Sequence, residues 1–237
     1  MTISVVIPAR NEEKYIRACL ESILLNQTSD VIEVILVDNG STDNTAEVAK
    51  YFAEVRVVYE AQKGITRARQ RGLLEAKGEL LAFLDADTLV TPKWFQTVSA
   101  EFASHPDMVC LSGPFDYYDL PVFKRALTKF FQVLLYPLVN KITGFLTQGG
   151  NFVVKKSALL KIGGFDKNIE FYGEDTDISI RLHRVGKVKY TKELLILTSG
   201  RRLQSEGVVR TGLRYCMNFI WEAAFKRPYS KSHKDIR

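Results

Sequence analysis

The chain has 237 residues, and its 46% hydrophobic and 25% charged content excludes a disordered, collagen-like or coiled-coil protein. Three widely spaced cysteines, Cys19, Cys110 and Cys216, exclude a disulfide framework or Cys/His zinc spacing, so a reducing, cytoplasmic setting is expected. The net charge of +6 lies wholly in residues 201–237, which hold nine Lys and Arg against three acids, whereas the preceding residues carry 24 of each sign. Such a basic segment is either simply solvated or meets an anionic partner: a membrane surface, a phosphate-bearing substrate or nucleic acid. The opening MTISVVIPARNEE lacks the charged lead and long apolar core of a signal peptide, so none is expected.

The first half alternates between strand and helix patterns. Residues 3–7 form an apolar run that reads as a buried strand. Residues 12–26 place Tyr15, Ile16, Cys19, Leu20, Ile23 and Leu24 at helical spacing. A second strand follows at 33–37, and Ser41 or Thr42 is placed to cap a helix running to Phe52. Residues 55–59 read as a strand, 64–76 as a helix closed by Gly78, and 80–84 as a strand. Pro92 then opens another helix. This alternation implies βαβ units and a parallel sheet covered on both faces, with ligands beyond the carboxyl ends of the strands.

The second half is less regular. Residues 122–136 read as an amphipathic helix with Phe123, Leu127, Phe130, Phe131, Leu134 and Leu135 on one face, which Pro137 kinks or ends. A strand with a Gly-rich entry is expected at 149–154, a helix at 176–185, and strands at 187–190 and 194–198. No apolar stretch reaches the length of a membrane span.

Four clusters could carry chemistry. Asp85-Ala-Asp87 leaves an apolar strand with both carboxylates on one side. Hard oxygen ligands so placed suit Mg²⁺ or Mn²⁺ carrying a diphosphate, or they cap the loop. Asp38, at the end of the second strand, either faces a nucleobase or belongs to the Asn39-Gly40 turn. Glu174, Asp175 and Asp177 are helix-start acids that favour the helix dipole, and Glu174 or Asp175 could serve as a general base. Arg201-Arg202 could clamp a phosphate or remain solvated.

Taken in order, Val5-Val-Ile-Pro-Ala-Arg-Asn-Glu12, Val37-Asp-Asn-Gly-Ser-Thr-Asp43, Ala68-Arg69, Phe83-Leu-Asp-Ala-Asp87, Gly163-Gly-Phe-Asp166 and Gly173-Glu-Asp-Thr-Asp177 closely resemble the family 2 glycosyltransferases. The resemblance spans about residues 4–190. It implies a GT-A fold, α/β with a Rossmann-like, mostly parallel sheet flanked by helices and a smaller acceptor-side half. One domain is expected over 1–200, with a nucleotide-sugar half at 1–115, an acceptor half at 116–200, and the basic segment at 201–237. The resemblance also implies that Pro8, Arg10, Glu12, Asp38, Arg69 and Asp85 lie beside the nucleotide. Asp87, with Asp85, would hold Mn²⁺ or Mg²⁺. Gly149 and Gly150 would let the backbone pass close to the sugar or acceptor. Asp175 would be the base with Glu174 beside it, and Arg201 and Arg202 would meet the diphosphate.

Two positions depart from the family pattern: Asn39 replaces a second Asp, and Gln70 replaces the Asn after Arg69. The Gln-x-x-Arg-Trp segment of processive synthases is not evident, which points to transfer of a single sugar. The expected activity is metal-dependent, inverting transfer from a UDP- or GDP-linked sugar to an acceptor hydroxyl or lipid phosphate. The alternatives are a nucleotidyltransferase or an inactive nucleotide-sugar-binding protein. No nucleic-acid partner is expected. Residues 120–147 contain four basic residues and no acids, so they suit peripheral contact at the inner membrane face and a lipid-linked acceptor. A helix packed on the core, or a subunit contact, explains the same pattern.

Overall fold

The computed structural model describes residues 1–169, 173–225 and 229. In chain order, the first half comprises β1 (Ile3–Ala9), α1 (Ile16–Asn26), β2 (Val31–Asp38), α2 (Thr45–Lys50), β3 (Val55–Tyr59), α3 (Ile65–Glu75) and β4 (Leu80–Leu84). There follow β5 (Thr88–Val90), α4 (Trp94–Ser104), β6 (Met108–Ser112), β7 (Phe115–Tyr117), α5 (Val122–Phe130), a π-helical turn (Phe131–Leu135) and α6 (Tyr136–Thr143). The remainder is β8 (Asn151–Lys155), α7 (Lys156–Lys161), α8 (Glu174–His183), β9 (Lys187–Tyr190), β10 (Ile196–Thr198), α9 (Arg201–Glu206) and α10 (Val208–Phe225).

Seven strands form one sheet in the order β3-β2-β1-β4-β8-β6-β9, and β5-β10-β7 form a small second sheet. All neighbours in the large sheet are parallel except the two pairs made by β8. Because β8 runs against the rest, it begins at the rim where the others end. Its register pairs Asn151 with Leu84 and Phe152 with Ser112. The same rim therefore collects the ends of β1, β2, β4 and β6 and the glycine-rich entry to β8.

The apolar runs that signal these strands are buried on both faces, and side-chain alternation divides them between two cores. Val5 and Ile7 face Leu20, Phe95 and Val98 on one side, while Val6 faces Ala68, Leu73 and Ile178 on the other. Gly72 allows α3 to lie close to β1, since a Cβ there would stand 2.2 Å from Val6 Cγ1.

Element ends differ from the sequence pattern where side chains take over hydrogen bonding. Helix α1 starts at Ile16 rather than near Glu12, because the Glu12 N–H donates to Thr45 Oγ1 at 2.7 Å and Asn11 adopts φ +54°. Helix α2 likewise starts at Thr45, beyond a turn in which Asn11 Oδ1 accepts from the Thr42 N–H. The expected stop at Pro137 does not occur. The π-turn absorbs one residue, and proline falls in the first turn of α6, where its missing N–H is tolerated.

The alternative of a core-packed helix at 122–136 is overturned. Neither α5 nor α6 buries a residue, and the buried side chain of the intervening turn is the polar Gln132, whose Oε1 accepts from the Phe115 N–H at 2.7 Å. The apolar stripe faces outward instead. The 201–237 segment is helical over α9 and α10, and the rest of it, Tyr229 apart, lies outside the described residues.

Candidate active site

The sheet rim opens into a cavity of about 670 Å³ whose walls include Arg10, Glu12, Asp87, Asp175, Arg201 and Arg202. Pro8, Arg69, Asp85, Gly149 and Glu174 also line it. Two singled-out positions stand back from the wall. Asp38 is buried at the end of β2, where its Oδ1 accepts from the Ser41 N–H at 3.2 Å, and the neighbouring Asn39 lines the cavity in its place. Asn39 is itself a brace: it donates to the Glu60 and Gln62 carbonyls and accepts from the Gly64 N–H. Gly150 lies behind Asp85 at φ +83°, and a Cβ there would stand 2.2 Å from Asp85 Oδ2.

On one wall, Arg201 crosses from α9 to the β1 and β4 ends. Its Nη2 lies 2.6 Å from Glu12 Oε1 and 3.0 Å from Asp87 Oδ2, and its guanidinium sits over the Tyr15 ring at 4.6 Å. Helix α9 is fixed for this reach by Asp119, which accepts from Ser199 Oγ at 2.6 Å and the Gly200 N–H at 2.5 Å. Burial pushes the Asp87 carboxyl up to about 7, Asp85 and Glu12 push the same way, and Arg201 opposes them. Arg202 also lines the cavity and pairs with Glu206 at 3.4 Å.

Arg69 is buried and bridges two acids, with Asp85 Oδ1 at 3.2 Å from Nη2 and Glu174 Oε1 on Nη1. Burial raises the Glu174 carboxyl above its ordinary value against the pull of Arg69. Asp175 is the second residue of α8, and its carboxylate accepts from the Gly149 N–H at 3.2 Å and the Thr176 N–H at 2.8 Å. Burial still raises it above its ordinary value. That combination suits a carboxylate held in position and ready to accept a proton.

The donor chemistry fits a divalent ion. Asp87 and Asp85 offer hard oxygens two residues apart on the cavity lining. Among the described residues no group of three or more His, Cys, Asp or Glu forms a protein-only cage.

Several residues were not legible as part of the site. Asn151 accepts from Trp94 Nε1 and donates to the Pro114 and Leu194 carbonyls, fixing the start of β8. Ser112 Oγ donates to the Asn151 carbonyl and accepts from the Gln148 N–H, setting the loop that carries Gly149. Tyr117, Tyr136 and Tyr215 wall the outer cavity, and only their position in the fold marks them. Gln70 proves to be a brace, its Oε1 accepting from the Phe165 N–H at 2.9 Å.

The family model described as "Glycosyl transferase family 2" matches residues 4–163. The chain belongs to the family 2 glycosyltransferases. Among curated relatives of this family 2 chain, the uncharacterized glycosyltransferase YibD of Escherichia coli is 43% identical over 100 residues, covering 40% of the chain and 29% of YibD. The uncharacterized glycosyltransferase RT0329 of Rickettsia typhi is 25% identical over 237 residues, covering 95% of the chain and 72% of that protein. The chain spans about a third of the length of the first curated relatives it matches. Two solved structures share the fold. TarS of S. aureus in complex with UDP-GlcNAc aligns with TM-score 0.67 at 19% identity, covering 84% of this chain and 58% of TarS. Glucosyl-3-phosphoglycerate synthase of Mycobacterium tuberculosis, with Mn²⁺, UDP-glucose and phosphoglyceric acid, aligns with TM-score 0.67 at 20% identity, covering 94% and 80%. The family 2 chain is therefore α/β with a mostly parallel sheet, and its solved neighbours are glycosyltransferases.

Proposed function

We propose that the chain transfers a single sugar, with inversion, from a UDP- or GDP-linked donor to an acceptor hydroxyl or lipid phosphate. The observation that carries this reading is one cavity lined by both the Glu12–Arg201–Asp87 cluster and Asp175. Residues 1–115 supply the donor side and 116–200 most of the acceptor side, with α9 completing the donor wall. Donors related to those bound by TarS and the phosphoglycerate synthase are the natural candidates.

The acceptor oxygen attacks the anomeric carbon from the face opposite the nucleotide. A new carbon–oxygen bond forms as the bond to the diphosphate oxygen breaks. Asp175 accepts the hydroxyl proton, and Gly149 and Thr176 N–H groups hold its carboxylate in place. Arg69 keeps Asp85 and Glu174 fixed. Arg201 and Arg202 donate to the departing diphosphate, where negative charge grows. Asp87, with Asp85, would hold Mn²⁺ or Mg²⁺, which when bound supplies positive charge to the diphosphate. A phosphate acceptor arrives already ionised and makes less demand on Asp175.

The test is a thermal-shift panel of UDP, GDP, dTDP and CDP, each with and without Mn²⁺. A Mn²⁺-dependent rise with one nucleotide, lost in Asp87→Ala, is expected. No rise with any nucleotide, whether or not vesicles are present, sinks the proposal.

A further inference from the structure

The outer faces of α5, α6 and α10 carry apolar side chains that the fold leaves in solvent. Phe123 is 80% exposed, Leu134 57% and Ile142 75%, and on α10 Ile220 is 60% exposed. From Val122 to Thr143 the helical trace is nearly continuous, about 33 Å at 1.5 Å per residue. Among the described residues no helix is long and apolar enough to cross a membrane, so this face can lie on a bilayer but not span it.

The cavity reaches this same face through exposed lining residues of α6 and α10. Its outer wall is Tyr136, Val139 and Ile142 from α6 with Tyr215, Phe219 and Ile220 from α10. Phe145 and Phe219, 5.8 Å apart, join the two elements beside it. Ile142 and Ile220 thus belong to the lining and to the exposed surface at once. Asp175 lines the same cavity as these apolar side chains.

Exposed cations edge this face, with one exposed acid, Asp119, just ahead of α5. Residues 120–147 include no acid, and Lys124, Lys141 and Arg210 are exposed. The acid of α10, Glu222, is buried. Arg125 and Lys129 turn inward to Asp116, at 2.5 and 3.7 Å. An apolar stripe edged by cations matches an anionic lipid surface. A protein partner seated here would close the mouth of the cavity, whereas a bilayer both covers the apolar face and delivers a substrate through it.

We propose that the α5–α6 and α10 face docks on an anionic bilayer, and that the acceptor is a lipid-borne group entering the cavity between Ile142 and Ile220. The assignment of the acceptor rests on the transferase reading above; the docking does not.

The experiment is co-sedimentation of the full chain with sucrose-loaded vesicles of phosphatidylcholine alone or with 30 mol% phosphatidylglycerol, roughly the anionic content that makes such surfaces attract basic segments. Nucleotide-induced thermal shifts are read on the same samples. Binding to the anionic vesicles is expected, weakened by salt, and reduced about tenfold or more in the Phe130→Glu/Leu134→Glu variant. Neither residue lines the cavity, so the nucleotide shift should survive in this variant. Leu25→Glu, at another exposed apolar position, should bind vesicles like the parent chain. Failure to bind anionic vesicles, or equal binding by the double variant, overturns the docking. So does a dimer that the double variant abolishes, since the face would then belong to a second copy. Vesicle binding without any nucleotide shift refutes the transferase reading and the lipid acceptor with it, leaving the docking in place.

Discussion

Replacing Gly150 with alanine separates two physical effects that coincide at the rim. Gly150 has φ +83°, and so does Gly163, but a Cβ at Gly163 meets nothing within 4 Å, whereas at Gly150 it meets Asp85 Oδ2 at 2.2 Å. The left-handed conformation costs an L-residue about 1–2 kcal/mol, so Gly163→Ala isolates that contribution. Gly150→Ala adds the displacement of the Asp85 carboxylate, which lies 3.2 Å from Arg69. The Asp85 side chain is 39% exposed, so solvent screening limits the loss of that pair to about 1 kcal/mol. In a chain of this size each 1 kcal/mol lowers Tm by about 2–4 °C. Gly163→Ala should therefore lose about 2–8 °C, and Gly150→Ala about 2–4 °C more. Differential scanning calorimetry measures both. Calorimetric titration with UDP or GDP and Mn²⁺ should show weakened binding only in Gly150→Ala, because Asp85 is moved only there. Equal melting losses together with equal nucleotide affinities would refute the account of Gly150 as the space behind Asp85.

Other outcomes follow from the same geometry. Asp175→Asn should retain nucleotide binding, read by calorimetry, while turnover with a hydroxyl acceptor falls at least 100-fold, about the lower range for loss of a general base. Asp87 has a folded-state pKa raised to about 7, so its burial destabilises the ion-free protein progressively as pH rises from the ordinary carboxylate range through about 7. Asp87→Asn should accordingly melt higher than the parent at pH 8 without metal and lose its stabilisation by Mn²⁺ with nucleotide. Glu33 behaves in the opposite sense. Burial raises it, but hydrogen bonds from Ser4 Oγ, the Lys77 N–H and Arg56 together hold it below its ordinary 4.5. Its contribution is present above 4.5 and is lost as pH falls through the lower folded value, so Glu33→Gln should flatten the acid limb of urea-unfolding stability measured against pH. Gly72→Ala should cost about 1–3 kcal/mol by overpacking against Val6, and Val6→Ala should restore part of it in the double variant.

The donor side of the fold was readable because its signals are local. The runs of β1, β2 and β4 are apolar throughout, and each ends in a polar cluster that the parallel topology brings to one rim. Asp85, Asp87, Glu12 and Asp175 follow from that arrangement together with the family resemblance. Other features were hidden because they depend on partners distant in the chain. Asn151 looks like an ordinary strand residue until Trp94, Pro114 and Leu194 are brought to it. Strand β6 lies in an apolar segment with no periodicity to separate strand from helix, and its place beside β8 depends on an antiparallel pairing that no local pattern announces. The stripe on α5 was visible as periodicity, but periodicity says only that one face differs from the other. It does not say whether the apolar face turns in or out, and the buried Gln132 shows that here the polar side is the anchored one.

The contact between Arg201 and Glu12 spans 189 positions of the chain. On a ribosome adding about 5–20 residues per second, these partners emerge on the order of 10–40 s apart. Through that interval the first strands can pair and bury their apolar faces while Glu12 and Asp87 wait without their guanidinium. The nascent chain thus acquires its scaffold before Glu12 and Asp87 acquire their guanidinium partner. A product cut short before α9 would carry the family's early motifs intact, yet lack the guanidinium that pairs with Glu12 and Asp87.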